Sequence, residues 1–390
     1  MPVAKDPRVT RTLSPPERLE RVLRRLPVDR VPIRLWGVNH LAAPEHRSWQ
    51  SLHDLVEEFA LDQIVEWRPL PLPGTQEPGR PPATAGVTGL DIRVEERDTH
   101  DPEWYEAVYT IRVPDGYLTR IDACHRGGRP GYTVKHLVES VDDAHRWLSL
   151  PEGELPSLQP FAALVTEMGD RGMVMTQVSE PMYMVNDAVG SELWGYWMYD
   201  ERQLVHEMVS KAQTAILKQL KHYLAGGVGP LFGWSGPELC IPPLASPRDF
   251  DDFCVQYDKP MADLVHDAGG LVWVHCHGDM DPVLERFVGM GVDCLNPIEP
   301  PPVGKLTLAD AKRRVGGRMA LEGGIEIGDF ELESPDAVAA TVAQVMAMGK
   351  PDGGFIICPS SDPTHWPDMS PHIAANYRVF VETAYEHAWY

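Results

Sequence analysis

The chain has 390 residues, 35 basic and 57 acidic side chains, and a formal charge of −22. Hydrophobic residues make up 43% and charged residues 24%, the balance of a globular protein with a large core and not of a disordered chain. The acidic excess argues against a nucleic-acid or acidic-membrane partner, and no apolar run approaches the roughly eighteen residues that span a bilayer.

The amino terminus carries Lys5, Arg8 and Arg11 but no apolar stretch, so no secretory signal is read. The six cysteines form no CxxC pair, and a chain this long needs no disulfide staples. Reduced thiols and a cytoplasmic location are expected. Proline is in excess, 37 residues, and falls mainly between apolar runs.

In chain order, Pro15–Leu26 reads as a helix, Val31–Trp36 as a strand, Ser48–Phe59 as a helix and Ile64–Trp67 as a strand. Between Gly89 and Cys124 the pattern changes to two-residue alternation, and an Asp115-Gly116 pair signals a hairpin. Residues 80–130 are therefore expected to form an inserted antiparallel sheet. From Met173 onward strands alternate with helices: 173–179, a helix over Glu201–Leu224, 230–234, a helix over Pro247–Ala268, and 271–274. A helix at Pro282–Met290, strands at 292–295 and 319–321 around a helix at Thr307–Val315, a helix at Ser334–Met348 and a strand at 354–358 complete the series. Eight strands alternating with helices make an α/β fold, a (β/α)8 TIM barrel over residues 1–390 carrying the inserted sheet in its amino-terminal half. An open doubly wound sheet is the alternative, but no GxGxxG follows the first strand.

Barrel chemistry belongs at the carboxyl ends of strands. The 271–274 strand runs into His275-Cys276-His277-Gly278-Asp279, and side chains two apart share a face, so His275, His277 and Trp273 point together. Cys358 ends the last strand. Two imidazoles and one thiolate with an open fourth position is the ligand pattern of catalytic zinc. Glu238 and Glu299 follow the strands ending at Trp234 and Leu295, as a fourth ligand, a general base, a substrate contact or plain loop carboxylates. Glu322 and Glu326, framing Gly323-Gly324 after the seventh strand, are weaker candidates of the same kind. Trp36, Trp234 and Trp273, with His40 and His365, are candidates to line a substrate pocket, and surface or rim packing is the other reading of them.

The segment VHCHGDMDPVLERFVGMGVDCLNPIEPPPVGKLTLADAKRRVGGRMALEGGIE, Val274–Glu326, resembles the uroporphyrinogen decarboxylase superfamily. So do PPERLERVLRRLPVDRVPIRLWG at Pro15–Gly37 and GGFIICPSSDP at Gly353–Pro363. The resemblance implies a (β/α)8 barrel and two functional branches. The decarboxylases use no cofactor and hold their acidic substrate with amino-terminal arginines and a catalytic aspartate. Here GVNHLAAPEH follows Trp36, and the second strand ends Glu66-Trp67. The other branch resembles the methylcobamide:coenzyme M methyltransferases, whose zinc is held by a His-x-Cys pair and a distant Cys. The matching positions here are His275, His277 and Cys358, so one thiolate is exchanged for imidazole. That exchange leaves the site more Lewis acidic.

The resemblance thus implies a zinc-dependent methyltransferase moving a methyl group between a small substrate and a corrinoid or thiol acceptor. A corrinoid would be carried by a separate protein, because no corrinoid-binding segment is recognisable in the chain. A cofactor-free decarboxylase of a carboxylic acid is the alternative, and a homodimer is compatible with either.

Overall fold

The computed structural model describes residues 12–44, 47–69, 91–151, 153–363 and 368–390. Seven strands form one parallel sheet in the order β1 (Gln63–Trp67), β6 (Gly172–Gln177), β7 (Leu231–Ser235), β8 (Leu271–His275), β9 (Cys294–Ile298), β10 (Ala320–Ile325) and β11 (Phe355–Pro359). A second, antiparallel sheet of four strands contains β2 (Ile92–Asp98), β3 (Trp104–Val113), β4 (Gly116–His125) and β5 (Tyr132–Lys135).

Alternation along the strands explains how the parallel sheet is buried on both faces. Ile64, Met173, Leu231, Leu271, Cys294, Ala320 and Ile356, one from each strand, join a single apolar cluster. Seven side chains on one face of a sheet can meet only if the sheet curls around them. Their neighbours Val65, Val174, Phe232, Val272, Leu295, Leu321 and Ile357 belong to the other cluster, which packs the sheet against its helices. Those helices include Arg202–Ala225, Gln256–Asp267, Leu308–Val315, Pro335–Gly349 and Pro371–Ala388. Part of the proline excess starts them: Ser246, Ser334 and Ser370 each cap a helix whose first residue is the following proline.

Three expectations are corrected here. Val31–Trp36 is not a full ladder strand: it makes one parallel bridge, Ile33 to Ile357, and the Ile33 carbonyl accepts from Asp62 N–H on the β1 side. Pro32 has no N–H for a continuous ladder. The tight turn of the hairpin is Pro114-Asp115, since Val113 pairs with Gly116, whose φ of +136° opens β4. The 247–268 helix is three pieces, Pro247–Phe250, a π-turn at Asp251–Val255, and Gln256–Asp267. The antiparallel sheet runs from 92 to 135, and residues 80–90 of the expected insertion lie outside the described residues.

Buried charge pairs fix the parts. Arg120 of β4 bonds Asp122 at 2.9 Å and Asp187 at 2.7 Å, joining the antiparallel sheet to the helix Pro181–Val189. Arg18 and Arg30 converge on fully buried Asp62, at 2.6 and 2.5 Å, and Asp62 also accepts the Ile33 N–H. Those contacts hold the extended 31–36 segment between the ends of the sheet.

Candidate functional site

The inner face of the curled sheet becomes polar toward the carboxyl ends of its strands. On β8 the inward residues are Leu271, Trp273 and His275, and the ring of Trp273 stacks on that of His275 with centroids 6.0 Å apart. Trp36 meets both, its ring 4.3 Å from His275 and 5.8 Å from Trp273. His277, just past the strand, stands at 89° to His275 with centroids 4.4 Å apart. The next residue, Gly278, has φ +93°, a conformation glycine adopts without strain, and its N–H reaches Glu299 Oε2 at 2.7 Å.

Both imidazoles are held by their Nδ1 atoms. Asn296 Oδ1 in the middle of β9 lies 2.8 Å from His275 Nδ1, and Glu299 Oε1 lies 2.7 Å from His277 Nδ1. Both oxygens accept, so each Nδ1 carries a proton, and a ring in its neutral form keeps a lone pair on Nε2. Neither Nε2 has a hydrogen-bond partner among the described residues.

The charge environment separates the two rings. Burial pushes the His275 pKa down to about 3, assisted by His277 and Arg34 and opposed by the Asn296 bond. Burial also lowers that of His277, but the hydrogen bond and charge of Glu299, with Glu238 and Glu326, outweigh it and raise the pKa. Glu238 sits in the turn Pro237–Cys240 after β7, accepts from the Gly236 N–H at 3.1 Å, and has its pKa raised by burial.

Below this layer lies a fully buried polar cluster. Glu322 of β10 accepts from Arg34 Nη1 at 2.7 Å, from Trp273 Nε1 at 2.7 Å and from the Cys294 thiol at 3.9 Å. The Arg34 guanidinium lies 5.5 Å from the Trp273 ring centre, and its Nε and Nη2 are buried without partners among the described residues. Cys358 of β11 is fully buried beside Glu322 and Arg34. Burial and the Glu322 charge hold its thiol well above the usual range, against the backbone hydrogen bond of Trp36.

A metal-bound imidazole ordinarily presents one nitrogen to the ion and donates the other N–H to an oxygen. His275 and His277 fit that requirement as a pair. The third expected ligand, Cys358, is fully buried with the charges of Glu322 and Arg34 acting on its thiol, and among the described residues no three His, Cys, Asp or Glu side chains converge as a ready cluster. Trp36 packs its ring edge-on against His275 at 4.3 Å.

Residues 126–387 match the family model for uroporphyrinogen decarboxylase (URO-D). The chain belongs to the URO-D family. The matched span carries β6 to β11 with both histidines and Cys358, whereas the likeness at Pro15–Gly37 falls outside it. Among solved structures, a methyltransferase from Methanosarcina mazei is similar over 96% of this chain and 99% of its own, with 16% identity and a TM-score of 0.59. A B12-independent methionine synthase from Shewanella sp. W3-18-1 shares 12% identity over 72% of this chain and 73% of its own, at a TM-score of 0.43. No curated protein matches the sequence.

Within this URO-D fold, His275, His277, Glu299, Trp36 and Trp273 are brought together, and Glu322 lies directly beneath Trp273. Trp234 is elsewhere: it faces outward on β7 and bonds Asp258 of the helix Gln256–Asp267 at 3.0 Å. His40 is also apart, near His53 and Arg171, and burial lowers its pKa to about 4. His365 lies outside the described residues. Sequence reasoning missed Asn296 and Arg34, and it ranked Glu326 among the weaker candidates. Burial, then Glu299, raises the Glu326 pKa to about 7; Ser360 bonds its Oε2 at 3.2 Å while Oε1 is buried and unpartnered among the described residues. The signals were present: Arg34 and Trp36 share a parity, and Asn296 directly follows the strand expected to end at Leu295.

Proposed function

We propose that this URO-D family member is a zinc-dependent methyltransferase, moving a methyl group between a small substrate and a corrinoid or thiol acceptor. The observation that carries the reading is the pair of imidazoles, each fixed through Nδ1 by Asn296 or Glu299 and each with Nε2 free of protein partners among the described residues. His275 and His277 would hold the ion, with Cys358 as third ligand after its thiol loses its proton. When bound, zinc supplies a Lewis acid that lowers the pKa of an oxygen or sulfur acceptor or polarises a departing oxygen.

The protein's own residues do the rest. Glu299 orients His277, and Asn296 orients His275. Trp36 and Trp273 wall the site with aromatic surface, which excludes water from an apolar or methylated substrate. Glu238, buried near the charges of His277 and Glu299, is the proton acceptor for the substrate. We read the extended 31–36 segment as the eighth stave, closing the seven-stranded sheet into a barrel between β11 and β1. The fold likeness to the Methanosarcina mazei methyltransferase is compatible with this branch of the family. The corrinoid would arrive on a separate cytoplasmic protein, and none of the described helices is long and apolar enough to cross a membrane.

A cofactor-free decarboxylase is the second reading, favoured by one observation. The two unpartnered N–H faces of buried Arg34 could receive a substrate carboxylate. Elemental analysis separates the two. About one zinc per chain, lost in His277→Ala, supports the transferase; full activity in the presence of a strong chelator supports the decarboxylase.

A further inference from the structure

Strand β2 is the outermost strand of the antiparallel sheet, and among the described residues no strand pairs with its free side. It lies open: Val94 is 42% exposed, and the side chains of Arg93 and Arg97 are 76% and 55% exposed. Such an edge is a template for another strand unless charge, proline or a bulge blocks it. β2 holds no proline, and its pairing with β3 keeps one register from Ile92–Ile111 to Asp98–Tyr105. Its charges decide what it accepts.

The backbone fixes which groups face outward. The Arg112 N–H donates to the Asp91 carbonyl at 3.0 Å, so the groups of Asp91 point to β3. By alternation those of Arg93, Glu95 and Arg97 do the same, and Ile92, Val94 and Glu96 turn their N–H and C=O groups to the open side. A second β2 can therefore add antiparallel about a two-fold axis at Val94. The two Val94 residues would exchange hydrogen bonds, and Ile92 would bond Glu96 of the second copy.

The side chains select that register. Asp91, Arg93, Glu95 and Arg97 share one face of the strand. With the axis at Val94, each Arg93 faces Glu95 of the second copy and each Arg97 faces Asp91, so every opposed pair on this face joins opposite charges. Moving the axis by one residue sets Glu95 against Glu95, or Arg93 against Arg93. These are the close, non-hydrogen-bonded positions of an antiparallel ladder, where opposite charges stabilise and like charges destabilise. Within one chain Glu95 already contacts Arg93, and Arg97 at 3.9 Å, and both arginines keep more than half their side-chain surface open to a partner. On the other face Val94 lies beside Tyr109 of β3, so meeting its own copy extends an apolar row across the junction.

We propose that β2 is a homodimerisation edge, joining the antiparallel sheets of two copies of this chain into one continuous sheet with its two-fold axis at Val94. A strand of seven residues buries far less than a permanent interface does, so the dimer is concentration-dependent. Sedimentation velocity of the full-length protein, from low to high micromolar concentration, reads the assembly. The expected result is a reversible shift from monomer to dimer that added salt weakens. Glu95→Arg opposes Arg93 twice by symmetry and should raise the dissociation constant about tenfold; combining it with Arg93→Glu should restore it. Val94→Pro removes an outward N–H without breaking the β3 ladder and should abolish the dimer. Circular dichroism keeps a folding defect apart from lost pairing, and should Val94→Pro not fold, the charge swap carries the test. A protein that stays monomeric at high micromolar concentration, a dimer indifferent to Glu95→Arg, or a charge swap that fails to restore it overturns the proposal.

Discussion

Glu299 Oε1 lies 2.7 Å from His277 Nδ1, and its other oxygen accepts the Gly278 N–H at the same distance. One buried carboxylate thereby fixes the ring, the tautomer and the loop that carries it. Replacing Glu299 by Gln keeps the shape and removes the charge. If His277 is a zinc ligand, zinc affinity should fall about 10- to 100-fold, as for other partners of metal-bound histidines. Competition with a chromophoric chelator measures it, and unaltered affinity would count against His277 as a ligand.

The Arg34–Glu322 pair, both partners fully buried at 2.7 Å, also holds Trp273 in place. Glu322→Ala strands the guanidinium in the sheet interior, and about 3–5 kcal/mol of stability should be lost. Urea unfolding checks it. A change below about 1 kcal/mol, the level of an exposed ion pair, would show that water reaches the cluster.

The metal-free protein should weaken in mild acid through His275. Its pKa is depressed from 6.5 in the unfolded chain to about 3 in the fold, so the folded ring stays neutral while the unfolded one takes a proton. Stability from this group is therefore complete above pH 6.5 and is lost progressively as the pH falls toward about 3. His40, lowered to about 4, acts with the same sign. Unfolding curves across that window should be less steep in pH for His275→Gln than for the wild type; identical slopes would refute a buried neutral imidazole.

Asp258 has the opposite sign. Burial raises its carboxyl from 3.8 to about 7, with hydrogen bonds from Glu180 and Trp234 opposing. A raised carboxyl favours the fold below its unfolded pKa, and that contribution disappears as the pH rises through the folded value. Asp258→Asn should therefore gain stability relative to the wild type at a pH of about 8 and show less advantage at a pH of about 4. Guanidinium titrations at the two pH values decide it. An advantage that is larger in acid would contradict a raised Asp258 carboxyl.

Much of the parallel sheet was legible because strands buried on both faces read as apolar runs, as in Leu271–Val274 and Phe355–Ile357. Helix starts were legible where Ser precedes Pro. Val31–Trp36 read as one more strand because pattern ignores the missing donor of Pro32. The π-turn at Asp251–Val255 left no periodic trace, although Pro260 inside the following helix removes a backbone donor there. At the site, period-two counting brought out His275 and His277. It did not place Trp234, because facing in or out depends on register: Trp234 pairs with outward Val274, not with inward Trp273. Arg34 and Glu322 are 288 residues apart, and no local pattern joins them.

The central claim is that the two Nε2 lone pairs at the carboxyl end of β8 hold zinc. Elemental analysis of protein purified without chelators, beside His277→Ala and Cys358→Ala proteins that retain the wild-type circular dichroism, tests it most directly. The account predicts about one zinc per wild-type chain, and loss in both variants. A folded, active wild-type protein containing no stoichiometric metal would contradict it.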